Sequence, residues 1–257
     1  MQDLHLTYIQ YNIAWQQKAQ NFKKLDALLH SVNQTDLIVL PEMFATGFSM
    51  NADVLAEPTD GATLKWMREK AQQYNAAICG SAIIKEEGAF YNRLFWVEPN
   101  GEFKTYDKRH LFTLAHEEKT YTSGKQKLHI EYKDWKITPL ICYDLRFPVW
   151  CRNSNEADLM LFVANWPERR SEAWSTLLKA RAIENQCYIL GVNRVGNDGN
   201  EVSHSGNSAL HDALGKCISK PQPFQEAIIT VTLNKDHVSQ TRNRFGFLND
   251  RDAFTIH

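Results

Sequence analysis

Trp135-Lys-Ile-Thr-Pro-Leu-Ile-Cys-Tyr-Asp-Leu-Arg-Phe-Pro148 decides how the rest of the chain is read. Its apolar run, Ile137 to Ile141, has the length and composition of a buried strand. The run ends at Cys142, and the polar, bulky Tyr143-Asp144-Leu145-Arg146 before Pro148 suits a turn or the first residues of a helix. A thiol at the carboxyl end of a buried strand lies where α/β proteins place their chemistry, with turn backbone N–H groups close by. Taken alone, Cys142 reads as one more small buried hydrophobe. The chemical reading needs a base and a cation from elsewhere in the chain.

Working outward towards the N-terminus, Leu4 to Tyr11 alternates as a strand does. Trp15 to Leu29 then sets Phe22, Leu25, Leu28 and Leu29 on one helical face. Asp36 to Leu40 is a short buried strand bounded by Asn33-Gln34-Thr35 and Pro41, so the chain opens as a βαβ unit with adjacent parallel strands. Thr63 to Tyr74 is an amphipathic helix. Ala77 to Ile84, Tyr91 to Val97 and Glu102 to Tyr106 read as two hairpins, turning at Lys85 to Gly88 and at Pro99-Asn100-Gly101.

Towards the C-terminus, Asp158 to Val163 and Cys187 to Val195 are strands flanking a helix, Ser171 to Asn185, with Trp174, Leu177, Leu178 and Ile183 along one side. Ser205 to Ala213, Lys216 to Ile218 and Ala227 to Leu233 are short strands, and the tail from Lys235 shows no clear period. These strands are too many for one doubly wound sheet. An α/β fold of two mixed sheets packed face to face, with helices on the outer faces, would bury every apolar run. With no repeat, low-complexity tract or linker, residues 1–257 read as a single domain.

Bulk properties exclude several function classes. The formal charge is −1, without the basic surplus that nucleic acid or an anionic membrane surface requires. No apolar run approaches the ~20 residues of a membrane span, and no basic segment followed by an apolar core marks a secretory signal. Five widely spaced cysteines, with no C-x-x-C pair, suit free thiols in a reducing cytoplasm better than a disulfide frame. No histidines cluster near them at zinc-ligand spacing.

Two further groups sit at strand ends. Glu42 follows Pro41 directly; a carboxylate there must be paired, hydrated in a pocket or neutral, and a loop-capping role would also explain it. Lys108 lies where a strand gives way to a loop, as a solvated surface lysine also could. A carboxylate can accept the proton of a thiol, and an ammonium lowers the thiol pKa and donates to an oxyanion. Glu42, Lys108 and Cys142 thus make a kit for attack on an amide or nitrile carbon without histidine or metal. Spacing alone does not bring the three together.

Pro41-Glu42-Met43-Phe44, Tyr106 to Phe112 and Cys142 to Pro148 resemble, in order and spacing, the Glu–Lys–Cys motifs of the nitrilase, or carbon–nitrogen hydrolase, superfamily. Asn165-Trp166-Pro167, Lys179 to Asn185 and Asn193-Arg194-Val195-Gly196 extend the resemblance over nearly the whole chain. The run Cys142 to Trp150 is similar to that of the omega-amidase branch, which includes bacterial 2-oxoglutaramate amidases.

The resemblance implies a four-layer α-β-β-α sandwich, no cofactor, no metal, a small-molecule amide substrate, and a homodimer formed through the outer helices. It also implies catalytic roles: Cys142 as nucleophile, Glu42 as general base, and Lys108 with the Tyr143 N–H as oxyanion donors. Glu117, seven positions before Gly124, takes the place of a second family glutamate, with Glu118 as the competing choice. A 2-oxo acid substrate would need a carboxylate partner. Arg146 is the first candidate unless it pairs with Asp144, and Arg169 and Arg170 follow. Phe44, Tyr143 and Trp166 read as pocket walls or as core, and Glu184 and Asn185 as buttresses. Carbamoyl-amine or nitrile hydrolysis would use the same three groups, and a non-catalytic binding protein on this fold is the rival of another class.

Overall fold

In a computed structural model, which describes residues 2–154 and 156–256, the chain opens with strand β1 (Leu4–Gln10), helix α1 (Lys18–Leu29) and strand β2 (Leu37–Val39). β1 and β2 pair in parallel, as a helical crossover requires. Two helices, α2 (Ala52–Leu55) and α3 (Ala62–Tyr74), lead to β3 (Ala77–Glu86), which lies parallel to β2. β3, β4 (Ala89–Val97) and β5 (Phe103–Asp107) then form two successive antiparallel hairpins.

The second half repeats the plan. β6 (Ile130–Tyr132) is antiparallel to β7 (Trp135–Ile141), and β7, β8 (Leu159–Ala164) and β9 (Tyr188–Asn193) run in parallel. Helix α4 (Ser171–Asn185) is the crossover between β8 and β9. A ribbon of β10 (Val195–Asn197) and β11 (Ser203–Ser205) precedes β12 (Ala209–His211) and β13 (Cys217–Ser219). The chain then crosses back: β14 (Ala227–Leu233) lies antiparallel to β1, from Leu4 opposite Leu233 to Gln10 opposite Ala227. Helix α5 (Lys235–Phe245) follows.

Two six-stranded mixed sheets result, ordered β14-β1-β2-β3-β4-β5 and β13-β12-β9-β8-β7-β6. Their facing sides share one core, with Leu6, Val39 and Trp96 from the first sheet and Ile137, Leu161 and Leu190 from the second. α1 and α3 cover the outer face of the first sheet, where Leu25, Leu29 and Met67 meet Ile9, Ile38 and Phe95. On the second sheet, Trp174 and Leu178 of α4 join the core. β8 and β9 are therefore buried throughout, as strands covered on both faces should be, and the four-layer sandwich is present.

Three local readings are corrected. α1 begins at Lys18, and Trp15 instead faces the cavity described below. Ser205 to Ala213 is not one strand, because Gly206 and Asn207, with φ of 74° and 54°, interrupt it. The aperiodic tail holds α5, capped by Asn234, which accepts from His237 N–H at 3.0 Å, and ended by left-handed Gly246. Only Val238 and Thr241 of α5 are buried, a stripe too narrow to show as a period.

Cys79, Cys142, Cys151 and Cys187 are buried free thiols, and Cys217 is exposed. Burial pushes Cys151 and Cys187 up to about 12, and raises Cys79 and Cys142 as well. The folded chain therefore keeps protons that the unfolded chain sheds above the ordinary thiol range of ~8.5. Stability is complete below that range and falls as pH rises, by up to about 1.4 kcal/mol per pH unit for each such thiol. Urea midpoints taken on both sides of the thiol range should drop steeply at the higher pH. A flat profile would contradict this proton inventory.

Candidate active site

β7 delivers Cys142 to a tight 3-10 turn, Cys142–Arg146, entered through a left-handed Cys142 with φ of 42°. A non-glycine residue held there costs about 1–3 kcal/mol unless the surroundings enforce it. Asp144 does much of the enforcing. Its Oδ2 accepts from Ile141 N–H at 3.1 Å and Tyr106 O–H at 2.7 Å, and its Oδ1 from His110 N–H at 3.0 Å. From α4, Arg181 donates to the Leu145 carbonyl at 2.7 Å. The turn is thus tied both to the end of β5 and to the outer helix.

Lys108 is the first residue after β5, and its N–H donates to the Asn92 carbonyl of β4 at 3.0 Å. Its own carbonyl accepts from Gly124 N–H at 2.9 Å, which closes the intervening loop on itself. A Cβ on Gly124 would sit 2.1 Å from the Asp107 carbonyl oxygen, so this closure requires glycine. The loop returns Glu117 to the lysine: Lys108 Nζ donates to both Glu117 carboxylate oxygens, at 3.0 and 2.9 Å, and Phe112 N–H donates to Oε2 at 2.6 Å.

Glu42 follows β2 and is gripped from both sheets. Its Oε1 accepts from Lys108 Nζ at 2.9 Å and Asn92 Nδ2 at 2.8 Å, and its Oε2 from Asn165 N–H, just past β8, at 2.8 Å. The Asn165 side chain also donates to the Glu42 carbonyl. Glu42 and Glu117 are fully buried and Lys108 nearly so.

Burial alone would lower the Lys108 ammonium, but the Glu117 and Glu42 carboxylates reverse this and hold it above its usual range. Burial raises Glu117; Lys108 opposes the shift and Glu42 adds to it. Burial, then the Glu42 charge, push the Cys142 thiol well above its ordinary value, with Lys108 opposing and a hydrogen bond to Glu42 adding to the shift. At rest the proton stays on sulfur, beside a carboxylate able to take it.

A cavity of about 540 Å³ opens over these groups. Cys142, Glu42 and Lys108 line it together with the aromatic Phe48, Phe112, Tyr143 and Trp166 and the cationic Arg146, Arg169 and Arg170. The Arg146 guanidinium lies 5.0 Å from the Trp166 ring centroid, and that of Arg170 lies 5.0 Å from the Phe112 ring. Arg146 does not pair with Asp144, whose oxygens already serve Tyr106, His110 and Ile141. Burial, then the charge of Arg169, lower the Arg170 guanidinium, and Arg146 pushes the same way.

Of the residues singled out by sequence, Glu42, Lys108, Cys142, Glu117, Tyr143, Arg146 and Trp166 converge here. Phe44 does not. Its ring is fully buried in the outer core, 5.7 Å from Trp66 and 6.4 Å from Phe22 between centroids, so it is no wall of the cavity. The left-handed Met43, φ 43°, separates Glu42 from Phe44 and sends the two side chains into different surroundings. Glu118 is exposed, whereas Glu117 is buried against Lys108. Glu184 pairs with Arg181 at 3.0 Å, and Asn185 holds Asn153 N–H and the Cys151 carbonyl. Asn92 escaped the sequence reading. Its signal was a lone amide within a strand that runs into Leu94-Phe-Trp-Val97, where a buried polar group needs partners. Among the described residues, no group of three or more His, Cys, Asp or Glu could hold a metal ion, and no helix is long and apolar enough to cross a membrane.

The carbon-nitrogen hydrolase family model matches residues 5–243. The chain is 43% identical over 256 residues to the omega-amidase YafV of Yersinia enterocolitica, covering 100% of each sequence. It is 29% identical over 252 residues to the 2-oxoglutaramate amidase of Bacillus subtilis, covering 95% of this chain and 96% of that one. Among solved structures, XC1258 of Xanthomonas campestris, described as a CN-hydrolase superfamily protein with an arsenic adduct in its active site, superposes with a TM-score of 0.97. It shares 43% identity, with 100% of both chains covered.

Proposed function

The chain belongs to the carbon–nitrogen hydrolase family, and from that premise we propose that it is a cysteine-dependent omega-amidase. The substrate is a small 2-oxo dicarboxylic acid bearing a terminal amide, of the 2-oxoglutaramate type. The observation that carries this reading is the Lys108 ammonium, bound to Glu42 at 2.9 Å and to Glu117 at 2.9 Å in the cavity that Cys142 also lines. The full-length likeness to an omega-amidase supports the substrate class.

In this mechanism Glu42 takes the thiol proton as sulfur attacks the amide carbon. The oxyanion accepts hydrogen bonds from Lys108 and from the Tyr143 backbone N–H at the start of the turn. When the tetrahedral adduct collapses, Glu42 returns the proton to nitrogen, ammonia leaves and a thioester remains. Water, deprotonated by Glu42, attacks the thioester; the acid departs and the thiol is restored. Glu117 fixes the lysine and positions the amine or the deacylating water. Arg146 binds the substrate carboxylate, and Tyr143 and Trp166 form the walls beside it. The whole chain acts as one domain, without cofactor, as a cytoplasmic homodimer.

Ammonia release from 2-oxoglutaramate, glutamine, a carbamoyl-amine, a simple nitrile and a neutral short amide tests the assignment. 2-Oxoglutaramate should react fastest, and glutamine more slowly because its ammonium would face the arginines. Arg146→Ala should raise KM for 2-oxoglutaramate about 10- to 100-fold, the worth of a charge-assisted pair, and leave the neutral amide unaffected. Comparable rates on nitriles and amides would discard the omega-amidase assignment. Silence on all substrates from folded, reduced protein would favour a binding role.

A further inference from the structure

Asn92 hydrogen-bonds into the Glu42–Lys108–Glu117 cluster from within the first sheet. It is fully buried within β4, and the family motifs quoted above do not include it. Its Nδ2 donates to Glu42 Oε1 at 2.8 Å and reaches Glu117 Oε1 at 3.4 Å. Its carbonyl accepts the backbone N–H of Lys108 at 3.0 Å. One residue therefore touches the base, the second glutamate and the lysine between them.

The orientation of the amide is set by its neighbours. Both groups it faces are carboxylates, which only accept, so the NH₂ end must point towards them. The cost lies on the other end: Asn92 Oδ1 is buried without a hydrogen-bond partner. A buried orphan acceptor is destabilising. Asn165 Oδ1 and Gln186 Oε1 are orphaned in the same way among the described residues, so the placement of the donor end carries the argument. Here the amide gives up one end to donate into the gap between two carboxylates that otherwise share a single ammonium.

We infer that Asn92 is a positioning residue for the proton-transfer step, holding Glu42 and Glu117 together on Lys108 and keeping Glu42 Oε1 from turning towards the thiol. The inference rests on the proposed role of Glu42 as base. Losing the donor leaves Glu42 held by Lys108 and the Asn165 N–H alone, a looser grip than with all three. This acts on the chemical step and leaves the proposed substrate-binding residues unaltered.

Asn92→Leu, close to isosteric and apolar, removes the donor without leaving a charge unpaired. It should lower kcat about 10- to 100-fold with little change in KM. The acid limb of kcat/KM against pH should also move to higher pH, because a hydrogen-bond donor that stabilises the ionised site is gone. Asn92→Asp, the same shape with a third carboxylate, should lose more activity than Asn92→Leu. It carries the same two readouts should a melting curve show the leucine variant unfolded. A kcat within about twofold of the parent together with an unmoved acid limb would overturn the inference, since a merely structural role predicts that pattern in whatever protein folds. Glu42→Gln, measured alongside, separates the two readings. An active Glu42→Gln would defeat the base assignment itself, whereas an inactive one beside a parent-like Asn92→Leu would defeat the Asn92 inference alone.

Discussion

Cys142→Ala is expected to leave no measurable ammonia release, a fall on the order of 10⁴- to 10⁶-fold, because covalent catalysis disappears with the sulfur. No other thiol can stand in. Cys151 is buried with its Sγ donating to the Asp144 carbonyl at 3.0 Å, Cys79 and Cys187 are fully buried in the core, and the exposed Cys217 of β13 does not line the cavity. The fold should tolerate the change, since Cys142 fills little space and its left-handed backbone is held from outside by Asp144. Intact-mass measurement after brief exposure to substrate should find an acyl adduct on the parent and none on the variant. Residual turnover within a hundredfold of the parent would mean that the thiol is not the nucleophile.

Lys108→Met carries the second largest expected effect, and it should register in both rate and stability. Losing one oxyanion donor typically costs ~10²–10³ in kcat. The structural effect follows from geometry: Glu42 and Glu117, both fully buried, would face each other with no cation between them. Breaking a buried ion pair from one side costs about 3–5 kcal/mol, so a melting temperature well below the parent's is expected. Mild acidification should recover part of that loss, because protonating one of the two carboxylates relieves their repulsion. Lys108→Arg should not rescue turnover, since a planar guanidinium cannot set one nitrogen between Glu42 Oε1 and both Glu117 oxygens as the lysine Nζ does. A variant of parental stability would show that the two glutamates do not depend on the lysine.

Much of this arrangement was legible in the sequence because it rests on strand ends. Apolar runs with polar boundaries located β2, β7 and β8; Glu42 lies three residues past β2 and Cys142 directly after β7, positions that need only chain order. Counting strands against the capacity of one sheet was enough to require a sandwich. What stayed hidden depended on side-chain direction. Phe44 was misassigned because one left-handed residue, Met43, decides which way its ring turns, and nothing in the local residue types marks that conformation. Asn92 lies inside β4, so its importance is a matter of register: only the pairing that sets Asn92 against the Lys108 N–H gives it its role. α5 was missed for a third reason, a contact stripe of two residues.

Glu42 and Lys108 come from the first sheet, Cys142 and Asn165 from the second, and the Glu42–Asn165 bonds cross from one to the other. The first sheet is itself completed by β14, which follows every other strand in the chain. On a translating ribosome β1 therefore keeps an open edge until nearly all of the polypeptide has emerged, exposed to stray pairing for that interval. Cys142 and Glu42 line one cavity only once the two sheets have packed. On the proposed mechanism, a chain whose sheets have not yet packed should release no ammonia.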